Sequence, residues 1–400
     1  MKKYIVLFPL VLSSMILSGQ KPVDFLMKGR ALLEADKADD AVNTLTEALG
    51  QYNRSDLFLQ RAEAFLKKGD YSNAAADFNS ANSLEPASGE YGLARIYGLK
   101  NDPSTAVYHL EANLKSRFKK SEKEIMLDPA FGVIENTSEW RQFLKKDWYG
   151  NYEKGFAEIE YDISTGQIED AKSTLSGLIR DYPGNDGNIY AGALISFAEK
   201  KYPETVKAMT GIIPGNPDDE KYLRLLAQAQ EAGGNPAGAS LTYTRLLDLG
   251  IPDAGLLLKR AECYRRTGET SRAMDDIGKY LEFYPQSKKA LSFAGKVESA
   301  GGDNIKALQY FSENLKLHPH DADCYIDRAN SYFVSKSWNW AIKDYSMSLD
   351  LQPDNPDVWL NKGISLLNSG NLSDACHDFR KAFSLGNKKA TELISRNCIK

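Results

Sequence analysis

The chain has 400 residues, of which 42% are apolar and 26% charged. That is enough apolar material to bury a core, and it excludes a disordered or collagen-like polymer. Lys and Arg number 50 against 54 Asp and Glu, a formal charge of -4 that offers no field for gripping nucleic acid or an anionic membrane, and four cysteines exclude a disulfide-dense scaffold.

Met1-Lys2-Lys3 is a short basic stretch, Tyr4 to Leu17 is apolar, and the small residues Ser18 and Gly19 follow. This is the layout of a secretory signal peptide. The apolar run is shorter than the about 20 residues that cross a bilayer. Cleavage near Gly19 is therefore the expectation, and an uncleaved anchor is the alternative. Loss of residues 1–19 leaves 48 basic and 54 acidic residues, a charge of -6. An exported protein is expected, periplasmic or envelope-associated if the source is a Gram-negative bacterium.

Residues 22–118 carry three copies of one unit. Gly29, Ala41 and Leu45 mark the first. Ala62, Phe65, Ala74, Phe78, Ala81 and Pro86 mark the second, and Ala94, Tyr97, Ala106 and Leu110 the third. An interruption follows at 119–151. Asp128 is a candidate N-cap with Pro129 at the first helical position, and Ser138 is a second cap. Phe131 and Ile134 share one face, as do Trp140, Phe143 and Leu144. The segment reads as two short helices with buried aromatics, a cap or elbow between arrays. Trp148 and Tyr149 are candidate docking contacts in it.

From 152 to 387 the period is 34 residues. Small residues recur at Ala171, Thr205, Ala239, Ala273, Ala307, Ala341 and Ala375. Four residues on come Leu175, Met209, Tyr243, Ile277, Phe311, Tyr345 and Phe379. Twelve before lie Ile159, Ala193, Ala227, Ala261, Gly295, Ala329 and Gly363. Proline recurs twelve after at Pro183, Pro217, Pro285, Pro319 and Pro353. Turn signals such as Gly233-Gly234-Asn235-Pro236 and Thr267-Gly268-Glu269 divide each unit into two helices. Small residues let the two helices approach, larger ones fill the gap to the next unit, and proline ends the second helix. Residues 388–400 add an amphipathic stretch that reads as a terminal cap.

The pattern resembles the tetratricopeptide repeat (TPR) family. Gly363, Leu366, Ala375, Phe379 and Ala382 carry the likeness in one unit, and Ala329, Tyr332, Ala341, Tyr345 and Pro353 in another. It covers about ten units, over 22–118 and 152–387. The resemblance implies an all-α, right-handed superhelical solenoid of about ten TPR helix pairs, here interrupted by a short helical insert and ended by a capping helix. It also implies binding of a protein or peptide in a concave groove lined by the first helices, without intrinsic catalysis. Carried onto this chain, the groove residues are Lys259, Glu262, Arg265, Arg266, Lys289 and Lys296, then Asp323, Asp327, Asn330 and Asn361. Trp338 and Trp359 fall at core positions. Trp340 falls where the family places an outward polar residue and is the surface candidate. A lysine–asparagine–arginine clamp for a terminal carboxylate is not intact across adjacent units. A scaffold or adaptor in envelope assembly is expected, with a periplasmic glycan- or peptide-binding protein as the alternative. Self-association through the apolar ends of the array is a further option.

No cofactor, metal site or catalytic set is expected. His318 and His320 stand with Asp321 and Asp323 in a loop, without the third and fourth ligands a metal needs, and the carboxylates read as helix caps. Cys263, Cys324, Cys376 and Cys398 form no Cys-x-x-Cys motif. A disulfide between Cys376 and Cys398 is open to an oxidising compartment, but separate thiols are the expectation.

Overall fold

The computed structural model describes residues 21–398. The signal-peptide reading of residues 1–19 lies outside them. Every regular element among the described residues is helical, so the fold is the all-α array of helix pairs expected. None of these helices is long and apolar enough to cross a membrane.

Chain contacts divide the protein into two units, residues 1–148 and 149–400. The first holds three helix pairs: α1 (Pro22–Glu34) with α2 (Ala38–Leu49), α3 (Ser55–Lys67) with α4 (Tyr71–Leu84), and α5 (Glu90–Leu99) with α6 (Pro103–Leu114). Then come α7 (Glu122–Leu127), a 3-10 turn at Pro129–Phe131, and α8 (Ser138–Leu144). The 3-10 turn packs on α5 and α8 packs on α6, so the insert covers the open side of the third pair. Asp128 fastens it. One carboxylate oxygen accepts the Ala130 amide at 2.9 Å, and the other accepts the Tyr91 hydroxyl at 2.8 Å and stands 3.0 Å from Arg95 Nε in an ion pair. Phe131, Trp140, Phe143 and Trp148 pack ring against ring in sequence, with centroids 5.3–5.4 Å apart.

The insert differs from its sequence reading in three ways. It has a preceding helix, α7, started by the reciprocal Ser121–Glu124 capping box. Asp128 caps only the 3-10 turn, and Thr137 rather than Ser138 caps α8. Leu144 is exposed rather than sharing the buried face of Trp140 and Phe143.

The second unit holds seven pairs. These are α9 (Asn151–Thr165) with α10 (Ile168–Asp181), α11 (Asp186–Ala198) with α12 (Tyr202–Ile212), and α13 (Glu220–Ala232) with α14 (Pro236–Asp248). Next are α15 (Gly255–Thr267) with α16 (Thr270–Phe283), α17 (Lys288–Ala300) with α18 (Asn304–Leu317), α19 (Ala322–Val334) with α20 (Trp338–Leu351), and α21 (Pro356–Asn368) with α22 (Leu372–Ser384). A last helix, α23 (Ala390–Asn397), lies on α22.

The helices start and stop for local reasons. Asn235, Asp303 and Asn371 each accept the amide three residues on at the start of a second helix. Gly268, with φ of 81°, takes the left-handed conformation that ends α15. The seven small residues from Ala171 to Ala375 are all at 0% exposure, each at the crossing of its helix pair. In the second unit glycine replaces alanine on the facing helix where the partner is a phenylalanine. A Cβ on Gly295 would stand 2.4 Å from Phe311, and one on Gly363 would stand 2.6 Å from Phe379. Trp338 and Trp359 are half-buried at the margin of the core, the indole of Trp359 donating to the Pro353 carbonyl at 2.7 Å.

The cysteine reading is corrected. Cys376 and Cys398 form a disulfide that ties the end of α23 to α22. Spacing along the chain says nothing of this, because the turn after α22 folds α23 back until the two Cα atoms are 5.6 Å apart. Cys263 and Cys324 are buried free thiols, and burial pushes each up to about 11.

Candidate partner-binding face

In the second unit successive first helices touch one another, α9 with α11, α11 with α13, α17 with α19 and α19 with α21. No comparable contact joins successive second helices. Where they touch, the first helices form the tighter row, and their outward side chains share one face.

Two neighbouring recesses open on that face. The first, about 440 Å³, is lined by Arg224, Glu231, Leu256, Leu258, Lys259, Glu262, Tyr280, Lys289 and Phe293, among others. The second, about 420 Å³, is lined by Lys288, Lys289, Ser292, Phe293, Lys296, Asn314, Asp323, Cys324 and Asp327, among others. Residues 34 apart on consecutive first helices, such as Lys259 and Phe293, supply equivalent walls.

The charges are largely matched within the face. Lys259 Nζ stands 3.5 Å from Glu231, whose other role is to accept the Tyr243 hydroxyl at 2.7 Å. Burial and that bond raise the Tyr243 phenol above its usual range. Glu262 receives two bonds from Arg265, both 2.7 Å, and they raise the guanidinium further. Arg266 donates to the Glu231 carbonyl at 3.0 Å. Lys296 pairs with Asp327 at 3.0 Å, and Asp327 also accepts the Ser292 hydroxyl. Asp321 caps α19 and holds Lys288 at 2.6 Å, which lowers the carboxyl and raises the ammonium.

The structure thus brings Lys259, Glu262 and Lys296 to the recesses. Arg265 and Arg266 lie beyond them toward the end of α15, engaged by Glu262 and the Glu231 carbonyl. Asn330 accepts the Tyr345 hydroxyl at 2.7 Å, and Asn361 stands beside the same hydroxyl. Trp340 is elsewhere. It lies on a second helix, 57% exposed, stacked on Tyr332 at 6.0 Å with Lys343 over its ring. Two repeats earlier Arg272 covers Tyr264 in the same way at 5.1 Å, so Trp340 fills a stacking position of the repeat. Trp148 is also engaged, its indole donating to the Phe143 carbonyl at 2.9 Å.

Sequence reading missed the apolar floor of the first recess, because Leu258 and Phe293 belong to none of the repeating columns. It also missed a buried device. Arg61 with Asp77, Arg260 with Asp276 and Arg328 with Asp344 form bidentate pairs at 2.7–2.9 Å, and Lys362 meets Asp378 at 3.2 Å. Each cation sits on a first helix and each aspartate 16 residues later on the second. Arg61 and Arg260 reach back to Thr46 and Thr244 of the preceding unit, both at 3.0 Å. The constant spacing was the available signal.

Repeated helix pairs, crossing at small buried residues and presenting a row of first helices, define a helical-repeat array. The tetratricopeptide repeat family model matches residues 26–88 and 224–288. Human tetratricopeptide repeat protein 13 is 32% identical over 101 residues, 25% of this chain and 11% of that protein. The DnaJ homolog subfamily C member 7 homolog of Schizosaccharomyces pombe is 26% identical over 153 residues, 34% of this chain and 32% of that protein. The chain spans about a third or less of these curated relatives. The solved C-terminal part of a TPR repeat-containing protein from Cytophaga hutchinsonii matches with a TM-score of 0.50 at 13% identity, over 59% of this chain and 98% of that one. That likeness is one of fold. The chain carries tetratricopeptide repeats over those two stretches, 26–88 and 224–288. Such proteins act as protein-interaction scaffolds, and the fold is typically non-catalytic.

Proposed function

We propose that this protein is an exported, non-catalytic adaptor that binds protein partners on the first-helix face of its long array, in the assembly or maintenance of a bacterial envelope. The observation that carries the reading is the pair of adjoining recesses on that face, with an apolar floor and a charged rim. A mixed lining of this kind suits a polypeptide segment, whose side chains alternate in character and whose backbone needs hydrogen-bond partners. Export is supported by the N-terminal layout and by the Cys376–Cys398 bond, since disulfides persist in oxidising compartments.

Both halves are testable. Crosslinking the tagged protein in its native cells, followed by mass spectrometry, should return one or two recurring envelope proteins. Their recovery should fall when Lys259 and Lys296 are both changed to Glu. Recovery unaffected by that double change, or no recurring partner, contradicts the adaptor reading. Thiol labelling of the native protein from the periplasmic fraction should leave Cys376 and Cys398 unmodified until a reductant is added. A wholly cytoplasmic pool with both thiols free contradicts export.

A second reading, a glycan ligand, is tied to Trp340 and Tyr332, an exposed aromatic stack of the sort that sugars cover. Trp340→Ala should abolish glycan binding if that reading holds and leave partner capture intact if it does not.

A further inference from the structure

Two groups at the recesses are left unmatched. Arg224 is held by Glu220 and Asp253, and Lys288 by Asp321. Lys259 and Lys296 have their own carboxylates. Lys289 is exposed, lines both recesses, and forms no ion pair among the described residues. A second group is unmatched at the floor of the second recess. Asn314 is 1% exposed, and its Nδ2 donates to the Lys288 carbonyl at 3.1 Å, but its Oδ1 is buried without a hydrogen-bond partner. Buried carbonyl oxygens are normally satisfied, so a donor entering the recess would relieve this one.

We propose that the segment bound on this face is an extended acidic peptide, with a carboxylate side chain at Lys289 between an apolar residue in the first recess and an N–H donor toward Asn314 in the second. The inference rests on the first-helix face being the binding face. Leu258, Phe293 and Tyr280 give the first recess its apolar character. Carboxylates of the protein already match the other cations, so a basic peptide would meet acids that are occupied and one lysine that repels it. A single free lysine on an acidic chain is too little charge to hold a nucleic acid backbone.

The test is selection of random dodecapeptides displayed on phage against the full chain, followed by affinity measurement with labelled copies of the enriched peptides. Enriched sequences should carry Asp or Glu beside Leu, Ile or Phe. Lys289→Glu, an exposed change that leaves helix content intact by circular dichroism, should weaken them about fivefold, the upper range for one exposed ion pair. Selection against that variant should exchange the acid for Lys or Arg. Enriched peptides that lack an acid, or that ignore Lys289→Glu but are lost on changing Lys259 and Lys296 to Glu, overturn this inference and leave the face standing. Peptides indifferent to all three changes, or an empty selection, overturn both.

Discussion

Ala307 and Ala341 show how much of this fold is decided by single small residues. Both are wholly buried where two helices cross, so there is no volume for a larger side chain. Ala341→Trp should lower stability by about 3 kcal/mol, the upper end for overpacking a close-packed interior. Denaturant unfolding checks this, and an unchanged midpoint would mean that Ala341 is not at the crossing. The columns were legible in the sequence because close approach permits only small residues, and the permission repeats with the unit. The buried pairs were less legible, since a charged residue in a helix reads as solvated surface. Asp344 is 2% exposed beneath Arg328. Asp344→Ala strands the guanidinium and should cost about 3 kcal/mol. Asp378 behaves differently. Burial holds its carboxyl above the ordinary 3.8, against the pull of Lys362. A raised folded value means the folded chain binds the proton more tightly than the unfolded one. This group's contribution to stability therefore falls as pH rises from the unfolded value through the folded one. Unfolding followed across that interval should show the decline in the parent protein and a flatter profile in Asp378→Asn. Identical slopes would contradict it.

Among the elements, α23 and the insert are the ones that the repeat period does not reach. The last helix is eight residues long, too short to hold its shape alone. It is kept by Ala390, Leu393 and Ile394 against the last core cluster and by the disulfide to Cys376. The bridge closes 22 residues, so Cys398→Ser should remove about 3 kcal/mol of local stability. Hydrogen exchange should show the loss confined to α22 and α23, and exchange unchanged in those helices would mean that the apolar contacts suffice. The disulfide was illegible because it depends on where a turn points α23, which no spacing records. In the insert the aromatic core was legible from Phe131, Ile134, Trp140 and Phe143. Helix α7 was not, because the apolar residues after Ser121 and Glu124, Ile125 to Leu127, are consecutive and show no helical period.

At the scale of the whole molecule, stability in a repeat array is a sum over neighbouring contacts. The damage of Ala341→Trp should therefore stay in the unit from 149 to 400, nearest α19–α22. Amide exchange in α1–α6 should match the parent protein, and a global loss of protection would mean that the chain unfolds as one block. Ten helix pairs were legible from residue type and period alone. The face was legible in part: Lys259, Glu262 and Lys296 reach the recesses, whereas Trp340 lies on a second helix away from them. What could not be read was which charges are already matched, because that depends on side chains from adjacent units meeting across the row. The central claim is that partners dock on the first-helix face. A photocrosslinking amino acid placed at Lys259, Lys296 or the exposed second-helix position Ile305, one at a time in cells, tests it most directly. The account predicts a discrete crosslinked partner from Lys259 and Lys296 and none from Ile305. Crosslinks from Ile305 alone, or equal from all three, would contradict it.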